Sequence, residues 1–316
     1  MGESKFPERQ LPKKNMTLSN IKKNYQLYII ILLPLIWLVV FRYYPMYGAQ
    51  IAFKKYSSSK GIWGSTWVGL KNFNRFFSSY QFSRVLTNTL VISFYQLLAG
   101  FPIPIILALS LNSTLKNRYK KLVQFTTYMP HFISTVVLVG LVLQFLSPRV
   151  GVMNMIFGVL GWEKMDFMAK PELFKSIYVW TGVWQNAGWG TIIYMATLAG
   201  IDPQLHEAAI IDGASRFQRI RFIDIPGIIP TAVILLIINT GRVMNIGFEK
   251  VFLMQNDLNI SSSEIISTYV YKVGLASSMA DFSYATAIGL FRAMINLLLI
   301  ILVNQIAKKL SKTSLW

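Results

Sequence analysis

Six long apolar runs, separated by short charged segments, most limit how this chain of 316 residues can fold. Each run contains about the 20 residues that an α-helix needs to cross a hydrocarbon layer of ~30 Å. We place the runs at approximately 25–44, 85–111, 122–146, 173–199, 226–245 and 283–306. Hydrophobic residues make up 53% of the chain and charged residues 14%, a composition that excludes an ordinary soluble domain. The sequence therefore predicts an all-α membrane protein with six transmembrane helices.

The formal net charge of +18 would suggest nucleic-acid binding in a soluble protein. In a membrane protein, lysine and arginine instead set the topology and bind anionic lipid headgroups. Basic and aromatic residues do not alternate along any stretch, so we expect membrane lipids as partners and no nucleic acid. The chain has no cysteine and two histidines that are distant in sequence, so we predict no metal site.

The distribution of lysine and arginine predicts that both termini lie on the cytoplasmic side. An even number of spans places both termini on the same side of the membrane. The loops 113–121 and 201–224 then lie on that side too. These inside segments are richer in lysine and arginine per residue than the outside loops. Residues 1–24 are polar and precede the first run without a small-residue cleavage site, so we interpret them as a cytoplasmic tail. Residues 25–316 then form the transmembrane domain.

Residues 202–224 form a charged island between the fourth and fifth runs. Asp202 can cap a helix whose first turn accepts Pro203, and Gly213 can end it in a left-handed conformation. Ser215 can cap a second short helix, and Pro226 is expected to stop that helix and start the next run. The pattern predicts two short helices with a break between them.

Two interpretations of this island are open. It can be an amphipathic segment that lies on the lipid headgroups, with its arginines in contact with phosphate. Alternatively, it is a docking element, because Ala208 and Ala209 let a partner approach closely and Glu207 can accept hydrogen bonds from it.

The order of residues in the island resembles the EAA coupling motif of ABC importer permeases. The residues that carry this resemblance are Glu207, Ala208, Ala209, Asp212, Gly213, Ala214, Ile223, Ile225 and Pro226. The stretch 68–73 and the pair Asn88-Thr89 are also similar to this family. More narrowly, the chain resembles the first-subunit type of the carbohydrate-uptake class. Residues 128–134 are similar to the branch of that class that handles complex oligosaccharides or polysaccharide fragments, such as alginate or pectin pieces.

The resemblance implies a type I ABC importer transmembrane domain in a bacterial cytoplasmic membrane, with a coupling helix between helices 4 and 5. The implied partners are a second permease in a heterodimer, two ATP-binding subunits, an extracytoplasmic solute-binding protein and a carbohydrate substrate. The residues implied to contact an ATP-binding subunit are Glu207, Ala208, Ala209, Asp212, Gly213, Ala214 and Arg216. The partner subunits would bind ATP and Mg²⁺. This chain has no G-x-x-x-x-G-K-[ST] motif, so we expect it to bind no cofactor and to be no enzyme.

Polar and aromatic residues within the runs are candidates for the sugar pathway, because polar groups inside a membrane usually face a cavity or a partner helix. Aromatic rings stack on sugar C–H faces, Asn, Gln and Arg bind hydroxyls, and Arg also favours acidic sugars. Alternatively, these residues anchor the helices at the interface or tie them together. The candidates are Gln185, Trp189, Asn239, Arg242, Tyr284, Arg292 and Asn296. We expect His131 to form a helix–helix hydrogen bond and His206 to be solvated.

Two other functions are open. An autonomous channel or secondary carrier would transport without ATP, although no internal repeat supports a carrier built from two halves. A membrane-embedded enzyme would need convergent acids or a metal site, and the carboxylates of this chain are few and spread among arginines.

Overall fold

The computed structural model describes residues 24–114 and 116–311. The predicted cytoplasmic tail therefore lies outside the described residues, apart from Asn24. Backbone contacts divide the chain into two compact units, one that ends at Gln50 and one that begins at Ile51.

The first unit is formed by one apolar helix, α1 (Tyr25–Leu38), which contains Pro34. The chain continues through a π turn (Val39–Tyr43), a single α turn (Tyr44–Met46) and a 3₁₀ helix (Tyr47–Phe53). Within the described stretch from Tyr25 to Met46 no side chain is buried. A helix that is apolar all round its surface is suited to lipid or to another membrane helix.

The second unit is helical apart from one short antiparallel ladder. Strands β1 (Lys54–Lys55) and β2 (Thr66–Trp67) pair Lys54 with Trp67 and Lys55 with Thr66. The helices that are numbered in this unit are α2 (Lys71–Phe77), α3 (Tyr80–Gly100), α4 (Pro102–Asn112), α5 (Asn117–Tyr128), α6 (Thr135–Phe145), α7 (Val152–Val159), α8 (Pro171–Ala199), α9 (Pro203–Ile211), α10 (Arg216–Arg219), α11 (Ile225–Thr240), α12 (Phe248–Met254), α13 (Ile266–Tyr271) and α14 (Phe282–Ser311). Single turns, 3₁₀ and π segments are Gly61–Gly64, Met129–Phe132, Ile220–Asp224, Ile260–Ser263 and Lys272–Ala276.

Four helical stretches of the described residues are long and apolar enough to cross a membrane. They are Tyr25–Phe53, Tyr80–Asn112, Arg216–Thr240 and Phe282–Lys309. The helices Asn117–Phe132 and Thr135–Phe145 are bent by 101° relative to each other. If the two together are taken as one broken span, they make a fifth. The molecule is thus a helical membrane protein with four or five candidate spans, and α8, over the fourth predicted run, does not meet the same test.

Helix α8 is the centre of the second unit, and α3, α4, α5 and α11 all pack against it. Its residues Phe174, Tyr178 and Val179 are buried together with Ile92 and Leu138. At Gly188 a Cβ would lie 2.1 Å from the carbonyl oxygen of Thr127, so the absence of a side chain lets α5 and α8 approach closely. Much of α8 contacts other helices, and no stretch of it is as apolar as the candidate spans.

Candidate functional site

The charged island folds as two short capped helices on either side of Gly213. The Asp202 carboxylate accepts a hydrogen bond of 3.0 Å from the Gln204 backbone N–H, and Pro203 lies in the first turn of α9. Gly213 has a φ of 80°, and the following N–H, of Ala214, donates to Ala209 at 2.8 Å. The predicted helix start and the predicted glycine-terminated end are both confirmed.

Ser215 begins α10 with a reciprocal cap. The Gln218 N–H donates to the Ser215 hydroxyl at 3.3 Å, and the Ser215 N–H donates to the Gln218 side-chain oxygen at 2.7 Å. The prediction that Pro226 stops this helix is wrong, since α10 continues through the π turn into α11 as one helical stretch, Arg216–Thr240. Pro226 is tolerated inside this stretch because it directly follows the π turn, a local adjustment that accommodates a residue without an N–H.

The island presents an apolar surface, since no residue of α9 is buried. The exposed fractions are 53% for Leu205, 55% for Ile210, 86% for Ile211 and 70% for Phe217. Of the seven residues implied to contact a partner, Ala209 and Ala214 are half-buried, and the exposed ones are Glu207, Ala208, Asp212, Gly213 and Arg216. Large apolar side chains exposed on a well-capped element suit contact with a partner protein or with the membrane surface, the two interpretations that the sequence left open.

A buried polar cluster ties the island to the end of α4. Asp224 is 3% exposed, and its Oδ1 lies 3.3 Å from His206 Nε2. Asn112 Nδ2 donates to the same oxygen at 3.3 Å. His206 is half-buried and paired with Asp224, so the prediction of a solvated side chain is wrong. Asp224 reaches it from the following π turn, and local spacing in the sequence does not indicate such a pair.

A cavity of about 450 Å³ lies between α3, α4, α8, α11 and the segment that follows α11. Leu97, Val183 and Leu235 contribute to its apolar wall. Its polar and aromatic lining includes Gln96, Asn186, Trp189, Asn239, Arg242 and Asn245. An apolar wall with a few placed amides, an indole and a guanidinium is typical of a small-molecule site, and these groups suit sugar hydroxyls and ring faces.

Trp189 is held in place by His131. The two rings stack with centroids 4.5 Å apart and an interplanar angle of 6°. His131 Nδ1 also lies 3.1 Å from Asn186 Oδ1, which connects the 3₁₀ segment to α8. The predicted helix–helix hydrogen bond of His131 is confirmed, and it orients two residues that line the cavity.

Three predicted pathway residues line this cavity: Trp189, Asn239 and Arg242. Two others make contacts elsewhere. Gln185 donates to the Ile133 carbonyl at 2.9 Å and is not among the residues that line the cavity. Tyr284 is 3% exposed in the core, with the Arg75 guanidinium 4.2 Å from its ring centroid. Both residues tie elements together, which is the alternative that the sequence left open.

The two remaining candidates lie on α14, outside the residues that line the cavity. Asn296 accepts from the Met244 N–H at 3.1 Å and donates to Asn245 at 3.2 Å, so it supports the cavity segment from behind. Arg292 is half-buried on the same helix. The cavity is therefore built from the second, fourth and fifth runs. Sequence reasoning missed Gln96, although an amide in the middle of an apolar run is a usable signal.

Among the described residues, no group of three or more His, Asp or Glu side chains is placed to hold a metal ion.

Comparison with known proteins identifies the family. A model of the binding-protein-dependent transport system inner membrane component family matches residues 100–312. The chain belongs to this family. Protein LplB of Bacillus subtilis (strain 168) is 40% identical over 94% of this chain and 92% of its own length. The polygalacturonan/rhamnogalacturonan transport system permease protein YteP of the same organism is 41% identical over 96% of this chain and 94% of its own length.

A solved structure extends the similarity to three dimensions. The crystal structure of a bacterial alginate ABC transporter in complex with an alginate pentasaccharide-bound periplasmic protein matches with a TM-score of 0.86 and 38% identity. The match covers 94% of this chain and 99% of that chain. The predicted family and the ABC importer permease fold are confirmed.

Proposed function

We propose that this chain is the first permease subunit of an ATP-driven importer that carries acidic oligosaccharides across the inner membrane of a bacterium. The role of permease for sugars rests on the family and on relatives at 40% identity. The proposal that ATP drives transport through this chain rests on one observation: a single helical stretch, Arg216–Thr240, connects the exposed island to the wall of the polar cavity.

The acidic character of the substrate is supported by the charge of the cavity. Among the described residues that line it, Arg242 is the one that carries a charge, and its side chain is exposed. A guanidinium binds a carboxylate through two parallel hydrogen bonds. Another similar solved structure is that of a bacterial ABC transporter involved in the import of the acidic polysaccharide alginate. The name of YteP includes polygalacturonan, which is a polymer of a uronic acid.

We assign α8 as the span that completes six. It has 29 residues and is therefore about 44 Å long, more than a bilayer core requires. Of its polar residues, Asn186 lines the cavity, and Gln185 donates to the backbone carbonyl of Ile133. With six spans, both termini and the tail 1–24 lie in the cytoplasm, as does the coupling loop 202–224.

The proposed mechanism transmits force along the island. The exposed residues of α9 and α10 bind a cleft on one of two ATP-binding subunits, which supply ATP and Mg²⁺. Approach of these subunits moves α10, and the continuous helix of 25 residues, about 38 Å long, moves Asn239 in the cavity wall. A second permease forms the other half of the pathway, and an extracytoplasmic solute-binding protein delivers the sugar.

The test is a charge reversal at Glu207, which is exposed on α9. In the assembled importer we expect Glu207→Lys to abolish both uptake and substrate-stimulated ATPase activity, because a lysine cannot accept the partner's hydrogen bonds. Glu163→Lys makes the same reversal at an exposed loop residue and is expected to leave both activities unchanged. Normal uptake and ATPase stimulation in Glu207→Lys would overturn the coupling role.

A further inference from the structure

Lys250, on α12, is a buried cation close to the cavity. Its side chain is 8% exposed. The Nζ atom donates to the Tyr178 carbonyl at 2.8 Å and lies 4.7 Å from the centroid of the Tyr178 ring. In the described part of the chain, no carboxylate lies within 4.0 Å of this ammonium group. A buried charge without a counter-ion is costly, so its presence calls for a functional reason.

The ammonium group lies directly behind the cavity wall at a glycine. Gly182 lines the cavity, and a Cβ on this residue would lie 3.3 Å from Lys250 Nζ. Gly247, three residues before Lys250, also lines the cavity. Because Gly182 has no side chain, the wall between the ammonium group and the cavity is one backbone thick at this point.

Lys250 keeps its charge near neutral pH. Burial lowers its pKa from the ordinary 10.5 to about 8, so the side chain is mostly protonated at pH 7. A charge in a poorly hydrated environment acts over several ångströms with much less screening than a charge in water. Its field therefore reaches a ligand in the cavity without direct contact.

We propose that Lys250 is a second cation of the cavity, which together with Arg242 selects oligosaccharides that carry carboxylates over neutral ones. Arg242 contacts the ligand, whereas Lys250 acts through the glycine wall by its charge alone. This inference rests on the proposed function, since it concerns the choice of substrate at the same cavity.

The experiment measures uptake by the complete importer in proteoliposomes, with one solute-binding protein in every arm. The substrates are a short oligogalacturonate and its methyl-esterified, uncharged form. We expect Lys250→Met to lower the ratio of acidic to neutral kcat/KM by roughly tenfold, with little change for the neutral sugar. Lys250→Gln, which is uncharged but still donates to the Tyr178 carbonyl, is expected to do the same. This second variant keeps the test valid if methionine disturbs folding.

Two variants serve as controls. Lys250→Arg retains the charge and is expected to restore the selectivity. Lys164→Met removes an exposed lysine outside the cavity lining and is expected to change nothing. Equal loss of acidic and neutral uptake in Lys250→Met, with normal selectivity in Lys250→Gln, would show that Lys250 only holds α12 to α8, and would overturn the inference alone. Failure of the unaltered importer to take up either sugar would overturn the proposed function and this inference with it.

Discussion

Gly188 is the residue at which close packing is most sensitive to a single added atom. A Cβ there would lie 2.1 Å from the Thr127 carbonyl oxygen and 2.9 Å from the Thr127 Cβ, well inside van der Waals contact. We expect Gly188→Ala to destabilise the protein by about 1–3 kcal/mol, because α5 and α8 must separate to admit the methyl group. Thermal unfolding of the detergent-solubilised protein would measure this as a lower midpoint temperature.

Gly140 offers the matched control, since it also lies inside a helix, α6, but a Cβ added there would meet no neighbouring atom within 4 Å. Gly140→Ala is expected to leave the midpoint unchanged or to raise it slightly, because alanine favours helix by up to ~1 kcal/mol. An equal response of the two variants would mean that helix propensity, and not the contact with Thr127, decides the effect.

At the scale of elements, Asp224 holds the island against the membrane helices. Its carboxylate is shared by His206 of α9 and Asn112 at the end of α4. We expect Asp224→Ala to release α9, because both partners lose their acceptor while their own polar groups remain partly buried. Amide hydrogen exchange in 203–211 should then become faster, and less sugar should be transported per ATP hydrolysed.

Asp202→Asn is the control for this experiment, since it removes one charge from the same loop and asparagine caps a helix as well as aspartate does. Its exchange rates and transport are expected to match those of the unaltered importer. Unchanged exchange in Asp224→Ala would show that α9 is held by other contacts.

These elements also show what could be predicted from sequence. Asp202, Gly213 and Ser215 act on neighbouring residues, so the two caps and the break between them followed from local rules. The same local rules gave a wrong result at Pro226. Proline usually ends a helix, but here the preceding π turn lets the helix continue, and the sequence did not indicate that turn. The pairing of His206 with Asp224 depends on tertiary packing and had no local signal.

The cavity was less predictable than the island. Trp189, Asn239 and Arg242 line one cavity, as expected of polar residues in apolar runs that face an interior space, and their role in the sugar pathway stays a prediction. The same rule does not distinguish a residue that lines a cavity from one that bonds two helices together. For this reason Gln185 and Tyr284 were among the predicted pathway residues. The buried charge of Lys250 escaped notice because it lies outside the runs, on a short helix that packs against α8 only in the folded chain.

At the scale of the whole molecule, the cavity of one chain is small for the proposed oligosaccharide. The cavity of about 450 Å³ is at the low end of the range for small-ligand sites, which is roughly 300–1,000 Å³. An oligosaccharide of several rings therefore needs a further wall. A second permease that faces the cavity would provide it, and this argues for function as one half of a pair.

The isolated chain is accordingly expected to transport nothing. Purified and reconstituted into liposomes, it should take up oligogalacturonate no faster than empty vesicles, with or without ATP. Addition of the second permease, the ATP-binding subunits and the solute-binding protein should give uptake that requires ATP and stops with a non-hydrolysable analogue. ATP-independent uptake by the chain alone would favour an autonomous carrier, because transport would then need neither the docking surface of α9 and α10 nor a second wall for the cavity.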